Sequence, residues 1–271
     1  MRILFIGDVM GRSGRDAVTA HLPDLKAKLK TDVVILNGEN AASGIGITEK
    51  IVKQFYKDGV DVITTGNHVW DQREIIPYID RDPKLLRPIN FPHGTPGKGS
   101  YIHALSDGRK ILVANAMGRL FMDTLDDPFS AINELVNANP LKLKVQAIFV
   151  DFHAEASSEK MSFAHFLDGR VSAVVGTHTH IPTADAQILP GGTSLQSDAG
   201  MTGDYDSVIG VEKETPIQRF TRKMPTDRLS PADGEATLCG TFIETDDKTG
   251  LTTRIEPVRV GPRLHNHIPA V

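Results

Sequence analysis

The 271-residue sequence has a single cysteine, Cys239, so no disulfide can form within the chain. That cysteine sits in the apolar run 238–243, as a small core residue would. Neither sign of charge dominates: 30 Lys and Arg stand against 34 Asp and Glu, a net charge of −4. This balance gives no support to binding of duplex nucleic acid or of an anionic membrane surface. No apolar run approaches the roughly 18–20 residues of a membrane span. The N-terminal apolar run, residues 3–6, is far shorter than the roughly 7–15 residues a signal peptide needs. A soluble, cytoplasmic protein is expected. There is also no internal repeat, low-complexity tract or flexible linker, and the composition (40% hydrophobic, 24% charged) is that of a folded chain. A single domain over residues 1–271 is therefore expected.

The first 80 residues alternate between strand and helix patterns. Short continuous apolar runs at 3–6 and 33–36 suit buried strands, and 60–64 reads as a third strand. Between them, Val18, Leu22, Leu25 and Leu29 recur at helical spacing within a helix expected over 15–29, with Pro23 as a fault in its middle. Thr48 is a suitable N-cap for a helix over 49–56. A short helix is expected over 71–79. Such alternation implies parallel strands covered by helices. Residues 83–99 are rich in Pro and Gly and read as a long loop, a candidate lid or pocket wall. A hairpin is expected from 101–105 and 110–116, helices over 128–136 and 158–167, and strands over 145–150 and 171–175. Beyond Pro182 come a turn within 188–195, a glycine loop over 200–210, a helix over 212–222 and a second hairpin from 234–243 and 251–260.

The conspicuous polar residues each follow one of these expected strands. Asp8 follows the first, Glu39 and Asn40 the second, and Asn67 and His68 the third. His153 follows the strand over 145–150, and His178 and His180 follow the one over 171–175. Ligands of parallel α/β sheets collect beyond the carboxyl ends of strands. Two carboxylates, two amides and four imidazoles thus reach one rim. Carboxylate, imidazole and amide donors without thiolate suit manganese, iron or zinc. A pair of such ions needs a bridging group and several neutral ligands. Glycines 7, 38, 66 and 176 precede these positions and permit sharp turns.

These strings carry a resemblance. Gly7-Asp8, Asn37-Gly38-Glu39-Asn40, Gly66-Asn67-His68, Asp151-Phe152-His153 and Gly176-Thr177-His178-Thr179-His180 follow the order of motifs in the calcineurin-like metallophosphoesterases. More narrowly, the chain resembles the YmdB-like branch, described as 2′,3′-cyclic-nucleotide 2′-phosphodiesterases. The strings supporting that branch begin at Gly7 (Gly-Asp-Val-Met-Gly-Arg-Ser-Gly-Arg), at His153 (His-Ala-Glu-Ala-Ser-Ser-Glu-Lys) and at Gly200 (Gly-Met-Thr-Gly, then Asp-Ser-Val-Ile-Gly). The broad superfamily has Asp-x-His in its first motif and a bridging Asp in its second. Here the first reads Asp8-Val9-Met10 and the bridging position is Glu39. Asn40 is the replacement that the YmdB-like branch implies for the missing imidazole.

The resemblance implies an α/β fold, a layered α/β/β/α sandwich of two mixed sheets. It implies that one metal takes Asp8, Glu39, Asn40 and His180, and the other Glu39, Asn67, His153 and His178, with Glu39 shared. Iron is the implied metal, with manganese as the alternative. The implied reaction is hydrolysis of a cyclic nucleotide by a hydroxide lying between the metals, with His68 as proton donor to the leaving alkoxide. The expected partner is a small phosphodiester, without duplex nucleic acid or membrane; homo-oligomer formation is left open. A phosphomonoesterase, a metal-binding regulatory protein and an RNA-directed phosphodiesterase are the alternatives.

Other candidates read more plainly. His21, His103 and His165 fit packing or surface positions, and His265 and His267 lie in a tail with no carboxylate nearby in sequence. His93 is a candidate pocket wall. Arg12 and Arg15 fit a solvated helix start, with a phosphate clamp as the alternative. Asp185 and Asp198 are candidates for orienting ligand histidines. No Gly-Lys-Ser/Thr follows Gly11 and Gly14, so there is no P-loop, and no serine occupies a nucleophile elbow.

Overall fold

A computed structural model describes residues 1–271. Its strands are β1 (Arg2–Ile6), β2 (Val33–Asn37), β3 (Val62–Thr64), β4 (Ser100–Ala104), β5 (Lys110–Met117), β6 (Ala147–His153), β7 (Ala173–Thr177), β8 (Gln187–Ile188), β9 (Ser194–Gln196), β10 (Leu238–Thr245) and β11 (Thr252–Val260). Its helices are α1 (Gly11–Leu29), α2 (Glu49–Asp58), α3 (Ile76–Ile79, entered through a 3-10 turn), α4 (Pro128–Ala138), α5 (Ser157–Phe166) and α6 (Glu214–Arg222). No helix is long and apolar enough to cross a membrane.

The strands form two mixed sheets, ordered β11-β10-β1-β2-β3 and β4-β5-β6-β7-β9-β8. In the first, β1, β2 and β3 run parallel and the β10–β11 hairpin joins antiparallel to β1. In the second, β5, β6, β7 and β9 run parallel, with β4 and β8 antiparallel at the edges. The period of two along each strand separates the two faces. Ile3, Phe5, Val33 and Ile35 point toward Ile111, Val113, Phe149 and Val175 of the other sheet and make a core between the sheets. The alternate residues, Leu4, Ile6, Val34 and Leu36, pack against Val18, Leu22 and Leu25 of α1 and Val52 and Phe55 of α2. Across the molecule, Ile148, Val150 and Phe152 meet Ile132 of α4 and Phe163 of α5, with the Phe152 and Phe163 rings stacked at 3.9 Å. The layers are therefore α/β/β/α.

The local patterns carried most of these elements. Thr48 caps α2, its side chain accepting from the Ile51 N–H. Helix α1 starts earlier than the pattern predicts. Its first turn contains Gly11 and Gly14, which read as loop residues; a Cβ on Gly14 would lie 2.2 Å from the Thr202 carbonyl oxygen, so close packing explains the glycine. Pro23 does not end that helix. Residues 83–99 form no helix or strand, in accord with the composition. Strands β6 and β7 run on past their apolar runs to His153 and Thr177, which brings the polar motifs to the sheet ends.

Candidate metal centre

The C-terminal ends of β1, β2, β3, β6 and β7 meet at one rim, each delivering one motif. Asp8 lies two residues beyond β1, Glu39 and Asn40 just beyond β2, and Asn67 and His68 just beyond β3. His153 is the last residue of β6, and His178 and His180 follow β7. Gly66 is needed for this approach: a Cβ there would lie 2.2 Å from Glu39 Oε2 and 2.4 Å from His153 Nε2.

The seven expected ligands all come together. Donor atoms of Glu39, His153 and His178 lie within 4.8 Å of one another, and so do those of Asp8, Glu39 and His180. Glu39 belongs to both groups. Asn67 Oδ1 is 3.0 Å from His153 Nε2, and Asn40 Nδ2 is 3.0 Å from His180 Nε2. One amide thus lies beside each group.

The turn after β7 is strained. His178 and His180 have φ of +97° and +67°. Such backbone costs about 1–3 kcal/mol per residue and persists only where neighbours enforce it. Here Asp8 Oδ2 accepts the His178 N–H at 3.0 Å, and Asp198 Oδ2 accepts both the N–H and the hydroxyl of Thr179, at 3.0 and 2.7 Å. Lys160 holds Asp198 in turn, with Nζ 2.8 Å from Oδ2 and both groups buried. The Ile209 carbonyl accepts from His180 Nδ1 at 2.7 Å, which leaves Nε2 facing Glu39 and Asn40.

The electrostatics suit a cation. Burial pushes the Asp8 carboxyl well above its usual range, and its Oδ1 is buried with no hydrogen-bond partner. Burial alone would also raise Glu39, but His153, with Nε2 3.1 Å from Glu39 Oε1, outweighs it and brings Glu39 down to about 2. Burial would likewise lower His153, yet Glu39 holds it up at about 9. His178 falls to about 3 through burial and its neighbour His153. Buried polar atoms normally find partners. A cation held by these donors would supply one for Asp8 Oδ1, and the donors are the nitrogen and oxygen types that manganese, iron and zinc accept.

His68 stands apart from both ligand groups. Its side chain is 35% exposed, and its Nδ1 is 2.7 Å from Asp71 Oδ2. Together with Glu39, Asn40, His178 and His180 it lines a cavity of about 530 Å³. Met10, Ile209 and Leu229 supply apolar wall, and Arg219 and Arg228 supply guanidinium groups.

Several expectations need correction. Asp185 and Asp198 bond no ligand imidazole; Asp198 instead shapes the strained turn, and Asp185 accepts the Ser197 N–H. Orientation of the rings comes from Thr177 Oγ1 to His153, the Ile209 carbonyl to His180, and Glu155, 3.3 Å from His178 Nε2. His93 is exposed and lies outside the cavity wall. Arg12 is exposed in the first turn of α1, as a solvated helix start predicts, and Arg15 donates to the Ala41 carbonyl; neither lines the cavity, against the alternative of a phosphate clamp. His267 does meet a carboxylate, Glu256 at 2.8 Å, through a pairing that sequence proximity does not reveal. Asp151 was absent from the candidates. It is fully buried, accepts from Thr64, Thr177 and Asn37, and is raised to about 6 by burial. Its place in the Asp-Phe-His motif was the available signal.

The YmdB-like protein family model matches residues 4–258. The chain is 51% identical over 261 residues to the 2′,3′-cyclic-nucleotide 2′-phosphodiesterase of Bacillus subtilis, covering 96% of this chain and 97% of that protein. A crystal structure of a hypothetical protein from Thermus thermophilus superimposes with a TM-score of 0.89 at 44% identity, covering 97% of this chain and all of that one. That of a novel phosphatase from Mycoplasma pneumoniae also gives 0.89, at 33% identity, covering 96% of this chain and 93% of that one. With the match running from β1 into β11, the chain belongs to the YmdB-like protein family.

Proposed function

We propose that this chain is a metal-dependent phosphodiesterase that opens 2′,3′-cyclic nucleotides at the 2′ ester, leaving the 3′-phosphate. The observation that carries this reading is the sharing of Glu39 between two adjacent groups of metal-type donors. The activity named for the 51%-identical Bacillus subtilis relative supports it.

In this reading Asp8, Glu39, Asn40 and His180 hold one ion, and Glu39, Asn67, His153 and His178 hold the other. Iron or manganese is the metal, and both sheets serve the one site as a single domain. Two such ions would supply positive charge to the phosphoryl oxygens and a water whose pKa is lowered from about 15.7 toward 7. The protein's own part is positional. Buried Asp8 and Glu39 keep their carboxylates fixed, and the strained turn presents two imidazoles from one short segment. As a water oxygen joins phosphorus and gives up a proton to solvent, the bond from phosphorus to O2′ breaks and its electron pair goes to O2′. His68 Nε2 gives its proton to O2′, while Asp71 Oδ2, 2.7 Å from Nδ1, fixes the orientation of the ring. Such general-acid help is typically worth about 10²–10⁴-fold in rate.

A phosphomonoesterase is the second reading, favoured by the phosphatase of Mycoplasma pneumoniae that shares the fold at 33% identity. One experiment separates the two. Purified protein is analysed for iron, manganese and zinc and assayed on 2′,3′-cyclic, 3′,5′-cyclic and linear phosphodiesters and on nucleoside 3′-monophosphates. Conversion of the 2′,3′-cyclic nucleotide to a 3′-monophosphate that accumulates supports the diesterase. Turnover confined to monophosphates would replace it with the monoesterase.

A further inference from the structure

The proposed reaction uses one phosphate, and the metal centre accounts for it. The same cavity also presents two guanidinium groups, Arg219 and Arg228, to which that reaction assigns no task. They differ in their surroundings. Arg219 of α6 is committed to its own neighbourhood: Nε donates to the Thr226 hydroxyl, and Nη2 donates to the Asp227 carbonyl at 3.0 Å. These bonds fasten the segment after α6 onto the helix and fix where Arg228 begins. Arg228 itself makes no hydrogen bond and no ion pair within the protein, and no carboxylate, Glu39 included, comes within ion-pair distance of it. Arg228 is an exposed residue on the cavity wall, and its guanidinium donors have no protein acceptor.

The rest of the lining narrows what Arg228 can bind. Met10, Ile45, Ile209, Val211 and Leu229 offer apolar surface to a sugar and a base. The volume of about 530 Å³ falls within the roughly 300–1,000 Å³ range of small-ligand sites. The cyclic phosphate occupies both O2′ and O3′ of the ribose, which leaves O5′ as the hydroxyl that can carry another phosphoryl group. A planar guanidinium matches phosphate with two parallel N–H donors.

We propose that Arg228 is a specificity residue that binds a phosphoryl group on the 5′ oxygen of the substrate. The preferred substrate is then a 2′,3′-cyclic phosphate whose ribose also bears a 5′-phosphoryl group. This rests on the phosphodiesterase reading above. The 5′-phosphoryl group has two sources: a free 5′-phosphorylated nucleotide, or the last residue of an RNA strand, where that phosphate is a linkage to the preceding nucleoside.

The test compares metal-loaded wild type, Arg228→Gln and Arg228→Lys on three substrates: adenosine 2′,3′-cyclic phosphate, its 5′-phosphorylated form, and a dinucleotide ending in the same cyclic phosphate. Wild type is expected to favour the 5′-phosphorylated form over the plain one by about 10-fold in kcat/KM, chiefly through KM. Arg228→Gln brings that ratio near one, and Arg228→Lys retains part of it. A dinucleotide sharing the advantage identifies the RNA end as the source; advantage for the free nucleotide alone identifies the monoester. Binding gives a readout without turnover. In a His68→Ala background, calorimetry should show adenosine 3′,5′-bisphosphate binding about 10-fold tighter than adenosine 3′-monophosphate, with the difference lost on adding Arg228→Gln. Turnover of all three substrates without preference, or a preference that survives Arg228→Gln, overturns the inference and leaves the phosphodiesterase standing. No hydrolysis of any cyclic substrate by metal-loaded wild type overturns the phosphodiesterase, and the inference with it.

Discussion

The side-chain amide of Asn40 lies 3.0 Å from His180 Nε2, and the same Nδ2 donates to Glu39 Oε1 at 3.2 Å. Asn40 thus stands beside Glu39, the carboxylate common to both donor groups, where the broader superfamily resemblance leads one to expect an imidazole on residue 10. Met10 is buried instead, with Met201 and Val211. A half-turn of the amide exchanges its nitrogen for its oxygen, which is the atom a cation accepts.

From this follows a site-selective prediction. Asn40→Ala removes a donor from the Asp8, Glu39 and His180 group and leaves Asn67, His153 and His178 intact. Metal analysis at limiting metal should show one ion lost and one retained, with turnover falling at least about 10-fold, the lower end of what removal of an orienting partner does. Two tightly held ions with normal turnover would remove Asn40 from the centre.

Gly66 allows a second test, of spacing rather than ligation. A Cβ at this position meets Glu39 Oε2 at 2.2 Å and His153 Nε2 at 2.4 Å, so those two side chains must move apart. Gly66→Ala therefore should weaken metal binding although no ligand has been removed. Displacements near 1 Å can cost about 10²-fold in rate. Equilibrium dialysis against manganese, with circular dichroism to check the fold, reads the effect; wild-type affinity would show that the two ligands need not lie this close.

How much of this was legible beforehand differs by element. The strands showed through because a buried parallel strand is a largely apolar run, and the clustering of the candidate ligands showed through because each follows such a strand. What sequence alone could not expose is pairing across distance. The Ile209 carbonyl that orients His180 and the Lys160–Asp198 pair beneath the strained turn have no spacing that announces them. Asp198 was singled out, yet its role required knowing that its partner is the backbone of Thr179 rather than an imidazole. Helix α1 began earlier than expected because Gly11 and Gly14, poor helix formers, are there for packing against the 202 and 231 segments.

His68 yields a kinetic prediction. Its N–H faces Glu39 Oε2 at 3.4 Å, but its ring turns away to Asp71. His68→Ala should keep both metals and lose roughly 10²–10⁴ in rate on a 2′,3′-cyclic nucleotide, whose leaving group is an alkoxide. On bis-p-nitrophenyl phosphate, whose leaving group needs little protonation, the loss should be much smaller. Asp71→Asn should follow the same pattern more weakly. Equal losses on both substrates would assign His68 to positioning, and a missing metal would make it a ligand.

The last prediction concerns stability, and its sign depends on metal. Asp8 is fully buried, burial disfavours its charged form more than the nearby His153, 3.9 Å from Oδ1, restores it, and Oδ1 has no hydrogen-bond partner. A buried charge offset only in part destabilises a fold more than a buried neutral amide does. Asp8→Asn should therefore raise the Tm of metal-stripped protein. With metal present the balance reverses. Ligands that bind only the folded state stabilise it by RT ln(1 + [L]/Kd), about 2.7 kcal/mol for a site at 100 times its Kd. Wild type should gain Tm on metal addition and lose it with chelator, while Asp8→Asn should gain much less. Calorimetric scans of both proteins with manganese and with EDTA measure all four values. The expected result is a crossing, with the variant more stable when stripped and less stable when loaded. If Asp8→Asn is less stable in both states, the carboxylate serves the fold through its bond to the His178 N–H more than it serves a cation. If the metal-induced gain is equal in the two proteins, Asp8 is not a ligand.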